Sequence, residues 1–142
     1  MGSSQTLKTA LPILLMLGSA HLLNDMIQSM LTAIYPMLQD TFVLDFAKIG
    51  LISLVYQCTA SILQPGIGFW TDKHPKPYLL PVGMLVTTSG VVLLTLASSY
   101  SHLLIAAAMM GVGSSIFHPE AVRLTRIASG GNFGLAQSIF QV

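Results

Sequence analysis

Two stretches of this sequence carry ionisable groups inside otherwise apolar runs, a placement that is rare and usually functional. The first holds His21, Asn24, Asp25 and Gln28. They stand at i, i+3, i+4 and i+7, so a helix presents all four on one face. Thr32 and Tyr35 extend the stripe, while Leu and Met fill most other positions. Asp25 lies about 15 residues into the run, near mid-bilayer for a spanning helix that rises about 1.5 Å per residue. An ionised carboxylate there is costly unless it meets a partner or water. Two readings stay open. Asp25 pairs with His21 one turn earlier and joins helices, or the stripe walls a water-filled cavity in which His21, Asn24 and Gln28 bind a solute.

The second stretch runs over residues 114–123 and contains His118, Pro119, Glu120 and Arg123. Glu120 and Arg123, at i and i+3, form an ion pair if the segment is helical. That pair is either a snorkelling interface pair or part of the cavity wall. An imidazole inside a membrane helix has a partner or a proton to handle, which makes His118 a candidate proton carrier beside Asp25, with Glu120 as an alternate. Depth argues partly against a direct handoff of the proton: Asp25 is near mid-membrane and His118 nearer one end, so bridging water or solute would have to span the gap. Gln57, Ser61 and Gln64 repeat the polar spacing more weakly, either as glue between helices or as cavity lining.

These groups need elements to hold them, and composition says which. The 142 residues are 53% hydrophobic and 8% charged. A soluble domain carries about 25% charged residues, so this chain lacks the charge to cover a soluble surface. A net charge of +1 gives no basic excess for nucleic acid. The single cysteine, Cys58, excludes an internal disulfide, and no spacing suggests a metal site. No phosphate-binding loop of the G-x-x-x-x-G-K-[ST] form occurs, which leaves ATP-driven transport by this chain unsupported. An enzyme is the least favoured class, and no cofactor is expected.

Charges mark the element boundaries, since a spanning helix needs about 20 mostly apolar residues. The predicted spans are 10–37, 46–71, 78–97 and 103–126, with a fifth helix beginning near 132 and incomplete at 142. Pro65-Gly66 bends the second, and the first is too long for the core of a cleaved signal peptide. In lipid, each backbone polar group must be satisfied within the segment, which forces such runs into helix. The expected fold is therefore an all-α membrane protein. Ala107, Gly111 and Ser115 form a small-residue ridge that admits a neighbouring backbone. Lys8, Lys73, Lys76, Arg123 and Arg126 fall on one side and only Lys48 on the other, which puts the N-terminus in the cytoplasm.

After the second predicted span the chain reads Gly68-Phe69-Trp70-Thr71-Asp72-Lys73-His74-Pro75-Lys76-Pro77. This resembles the signature loop of the major facilitator superfamily, with Gly68, Asp72, Lys73 and Lys76 at the matching positions as the conformational-switch loop. Pro75 and Pro77 depart from the pattern. The segments His21-Leu22-Leu23-Asn24-Asp25-Met26, Leu63-Gln64-Pro65, Leu80-Pro81-Val82-Gly83-Met84 and Gly111-Val112-Gly113-Ser114-Ser115-Ile116-Phe117-His118-Pro119-Glu120-Ala121 resemble its fosmidomycin-resistance branch. So does Ser129-Gly130-Gly131 followed by Gly134-Leu135-Ala136-Gln137-Ser138. Many facilitators carry an arginine where this chain has Ala107, which puts the common arginine-based proton relay in doubt and leaves His118 or Glu120 as the candidates the resemblance implies for that role.

The resemblance implies a twelve-helix transporter of two six-helix halves, each built from two inverted repeats. This chain would supply the N-terminal portion of the first half: four helices and the start of a fifth. It implies a multi-pass protein of the bacterial inner membrane, and a proton-driven antiporter. The exported substrate would be a small drug-like or phosphonate compound, giving fosmidomycin-type antibiotic resistance. Its partners would be substrate, protons, lipid and the C-terminal helices. Arg123 and Gln57 join His21, Asn24 and Gln28 as substrate-cavity candidates. The alternatives are a metabolite facilitator of the same superfamily and a truncated fragment without function.

Overall fold

A computed structural model describes residues 10–76 and 78–141. Lys8, counted above for orientation, and Pro77 of the signature loop lie outside the described residues. All regular structure among the described residues is helical: α1 (Leu11–Ala33), α2 (Tyr35–Phe42), α3 (Phe46–Lys73), α4 (Leu79–Thr95), α5 (Tyr100–Ala128) and α6 (Phe133–Phe140).

The first predicted span becomes two helices. Pro36, near the start of α2, has no N–H to give the preceding turn, and the chain breaks at Ile34. Helix then continues past the expected end at 37 and stops at Val43, whose φ of 51° is left-handed. Charge marked where lipid would end, whereas Gln39, Asp40 and Thr41 propagate helix in water as well. Helix α3 opens on a cap: the Asp45 carboxylate accepts the Lys48 N–H at 2.8 Å. It runs through Pro65, as α5 runs through Pro119.

Helices α3 and α5 are long and apolar enough to cross a membrane by length and composition. The apolar helix α4, at 17 residues, is shorter. Only 6% of the apolar window of α3 is buried, against half of that of α5. A helix apolar all round with so little cover suits a lipid solvent. Helix α5 is the hub, packed by α3 on one side and α4 on the other, with α1 and α6 also against it.

Glycine lets these backbones meet. A Cβ on Gly111 of the small-residue ridge would lie 2.6 Å from the Tyr56 carbonyl oxygen of α3. On the opposite side, a Cβ on Gly83 of α4 would lie 2.8 Å from the Phe117 amide nitrogen, and one on Gly90 would lie 2.9 Å from that of Met110. Leu31, Leu38, Ile52, Leu94, Leu103 and Met110 form one core cluster, and Leu17, Phe117, Ala121 and Phe140 another.

Candidate functional site

The site is set by how α1 lies along α5. The Ala10 amide donates to the Ala128 carbonyl at 2.9 Å, which ties the start of α1 to the end of α5. At the other end Leu31 and Leu103 share a core cluster, so the two helices run antiparallel. Helix α1 buries Leu14, Leu17, Asn24 and Leu31, with His21 and Gln28 half-buried at the intervening steps. That alternation of three and four is a helix–helix seam, apolar at both ends and polar in the middle. Asn24 lies at its centre with 0% exposure. Asp25 is one residue further round the helix, at the edge of the seam, with its side chain 49% exposed.

Asp25 there meets both histidines. Its Oδ2 lies 3.5 Å from His21 Nε2, and its Oδ1 lies 3.5 Å from His118 Nε2. The sequence-based expectation that depth separates Asp25 from His118 is corrected. Counted from the Ala10–Ala128 bond, His118 stands level with His21, and Asp25 is one turn beyond them. Side chains lean towards the N-terminus of their own helix. In antiparallel helices Asp25 therefore leans back to the level of the histidines while His118 leans towards it. A count along the axes misses this convergence.

The rings are held in place. His21 lies against Phe140 at 4.3 Å between centroids with the rings tilted by 36°, stacks near Phe117 at 6.4 Å, and meets His118 edge-on at 5.4 Å. His118 Nδ1 lies 3.0 Å from the Ser114 carbonyl oxygen and 3.2 Å from the Ser114 hydroxyl. A carbonyl only accepts, so this network assigns the Nδ1 hydrogen to His118. In the neutral ring Nε2 then presents a lone pair to the Asp25 carboxylate, which also only accepts. The contact becomes attractive when one proton joins the pair, on Nε2 or on Asp25.

The remaining candidates divide. Glu120 stands apart from this cluster: it is fully buried and held bidentately by Arg123, Nε to Oε2 at 2.9 Å and Nη2 to Oε1 at 2.5 Å. Gln28 accepts a short hydrogen bond from the Tyr56 hydroxyl. The Asn24 amide has neither its oxygen nor its nitrogen paired, and both are closed off from the exposed side where Asp25 emerges. Gln57 is exposed on α3. Asp72, Lys73 and Lys76 are exposed, and Lys73 Nζ sits 4.1 Å over the Phe69 ring. Gly68 faces Pro119, where a Cβ would make ordinary contact at 3.5 Å. Between α3 and α5 a groove of about 470 Å³ is lined by Gln64, Gly68, Asp72, His118, Arg123 and Arg126. It leads from the imidazole of His118 to the signature loop.

Tyr56, Ser114, Phe117 and Phe140 were not singled out from the sequence. Only Ser114 left a signal, four residues before His118 and so one turn below it. Spacing along the sequence suggests no metal site, and the structure adds a grouping that spacing does not show. His21, Asp25 and His118 each offer a ligand atom, all within 4.8 Å of one another, a cluster assembled from two helices that spacing along one stretch does not reveal.

Comparison with known proteins agrees with this architecture. The family profile of the Major Facilitator Superfamily matches residues 17–142. The chain is 56% identical over 140 residues to the fosmidomycin resistance protein of Escherichia coli (strain K12), covering 99% of this chain and 34% of that protein. It is 41% identical over 134 residues to the uncharacterized MFS-type transporter YfnC of Bacillus subtilis (strain 168), covering 94% and 33% respectively. The chain thus spans about a third of the length of the curated relatives it matches. No solved structure matches it.

Proposed function

The chain belongs to the Major Facilitator Superfamily, and from that premise we propose that it supplies the N-terminal portion of a proton-driven exporter of small phosphonate-like drugs. Members of this superfamily are membrane transporters built from helical repeats, with no catalytic chemistry asked of the protein. In this reading α1–α2, α3, α4 and α5 are four spans and α6 opens a fifth. The N-terminus and the loop after α3 face the bacterial cytoplasm. The name of the Escherichia coli relative suggests fosmidomycin as the drug to test first.

The observation that carries the proposal is the single carboxylate between two imidazoles, one of them locked by Ser114 with its Nε2 towards Asp25. A proton taken up on one side of the membrane joins Asp25 and His118 and makes their contact attractive. Its release on the other side returns two acceptors to each other and loosens α1 from α5. Coupling arises because the two protonation states favour different packings, and a ligand shifts an equilibrium only by its differential affinity for the two. The groove between α3 and α5 is the proton's route to the cytoplasm. Gln57, the most open of the candidates, and Arg123, His21 and Gln28 are the substrate-facing residues, while Asn24, closed inside the α1–α5 seam, meets substrate only when the seam loosens. Asp72, Lys73 and Lys76 of the signature loop, with Gly68 beside Pro119, adjust the switch between the two packings. The alternate proton carrier Glu120 is held by Arg123 and acts as its structural partner.

Expression of the full-length protein in a drug-sensitive bacterium tests the reading. Fosmidomycin accumulation should fall relative to the empty host, and an uncoupler that collapses the proton gradient should restore it. Accumulation that is unchanged by expression, or lowered equally with and without the gradient, would contradict proton-driven export.

A further inference from the structure

We propose that His21, Asp25 and His118 form a binding site for one divalent transition-metal ion of the Zn2+ class, at the open edge of the α1–α5 seam. The donor set is two imidazole Nε2 atoms and a carboxylate, the nitrogen–oxygen mixture that borderline metals take and that Mg2+ and Ca2+ do not.

The separations suit tetrahedral geometry. With bonds of about 2.0–2.1 Å, neighbouring ligand atoms of a tetrahedron lie about 3.3 Å apart. Asp25 Oδ2 lies 3.5 Å from His21 Nε2 and its Oδ1 lies 3.5 Å from His118 Nε2, so one carboxylate reaches both imidazoles through its two oxygens. An octahedral site at the same bond lengths brings neighbours to about 2.9 Å, further from what is present. The chosen ligand atoms of all three residues lie within 4.8 Å of one another. Asp25 is half exposed, which leaves room beside it for a water or solute ligand in the fourth position.

The surroundings support ligation as well. Metal-bound histidines almost always direct their other ring N–H to a carbonyl or carboxylate, which fixes the tautomer that ligates. His118 has this arrangement, with Nδ1 on the Ser114 carbonyl at 3.0 Å and Nε2 turned to Asp25. His21 is oriented by its contact with Phe140. The inference stands on this geometry alone, whatever the protein transports and whatever drives it.

The full-length protein, purified without a histidine tag and with His74→Ala and His102→Ala removing the exposed imidazoles of residues 1–142, is titrated with Co2+ in detergent and read by visible absorption. One Co2+ per chain should give the intense absorption of a four-coordinate site, displaced by Zn2+ and not by Mg2+. Removing an outer partner of a metal ligand costs about 10–100-fold in affinity, so losing a ligand in His118→Ala or Asp25→Asn should weaken binding by at least about 10-fold. Only weak six-coordinate absorption, or strong binding unchanged in those variants, would overturn the site. Should a variant not fold, the parent chain still decides by mass action: Zn2+ must raise its melting temperature where Mg2+ does not, and no shift refutes the proposal.

Discussion

Replacing Gly83 by Ala tests the packing that positions the whole site. Gly83 lies on α4 against α5, and a Cβ there would stand 2.8 Å from the Phe117 amide nitrogen and 3.0 Å from both the Gly113 carbonyl oxygen and the Phe117 Cα. All three are backbone atoms, which do not swing aside as a side chain does. The helices must part by several tenths of an ångström, and Gly90 against Met110 lies along the same contact. Overpacking of this kind costs about 1–3 kcal/mol. Alanine's better helix propensity returns about 0.5–1 kcal/mol. Gly50→Ala on α3 is the matched control, because nothing lies within 4 Å of its Cβ and only the propensity gain applies. The two variants should differ by about 2 kcal/mol, or roughly 4–8 °C in apparent melting temperature. Size-exclusion chromatography of detergent extracts after graded heating reads this difference. If Gly83→Ala melts at or above Gly50→Ala, then α4 and α5 do not approach as described and the placement of Phe117 and His118 loses its basis.

Glu120→Gln leaves Arg123 without its carboxylate and should reduce accumulation in the membrane. Breaking a fully buried pair costs about 3–5 kcal/mol, and Arg123 is 18% exposed, so the lower end applies. Removing both charges in Glu120→Gln/Arg123→Gln should recover part of the loss, and no recovery would argue against the pairing. Asp72→Asn should slow transport without affecting insertion, since the Asp72 carboxylate is proposed to meet the N-terminus of a helix in the rest of the transporter, a contact that biases a balanced equilibrium by about 0.3–1 kcal/mol; unchanged rates would remove Asp72 from the switch. For topology, Thr41→Cys and His74→Cys in a Cys58→Ser background should label oppositely with an impermeant thiol reagent on intact cells. Thr41→Cys reacts and His74→Cys does not, and the reverse pattern would invert the orientation.

Helix content and order were readable because apolar runs and their charged borders set both. Element ends were less so: α2 carries helix to Phe42 because helix, unlike a membrane, does not stop at Asp40. The His21–Asp25 pair was legible, since i and i+4 residues meet whatever else the chain does. His118 completing the group was not, because its approach depends on the antiparallel register of α1 and α5 and on the lean of side chains. Neighbouring residues also parted. A helical wheel places Asn24 and Asp25 on one polar stripe, yet one turns wholly into the seam and the other half out of it. About 100° of rotation per residue separates inside from edge, and sequence alone does not say where the partner helix lies.

The central claim is that Asp25 carries the coupling proton, and Asp25→Asn in proteoliposomes tests it most directly. Asparagine keeps the size and the hydrogen-bonding edge but cannot take up and release the proton. Two rates are measured on the same preparation with fosmidomycin: uptake driven by an imposed pH gradient, and exchange of labelled for unlabelled drug without one. The account predicts that Asp25→Asn loses gradient-driven uptake and retains exchange. Gradient-driven uptake at the parent rate, or loss of both rates in a correctly folded and inserted variant, would contradict it.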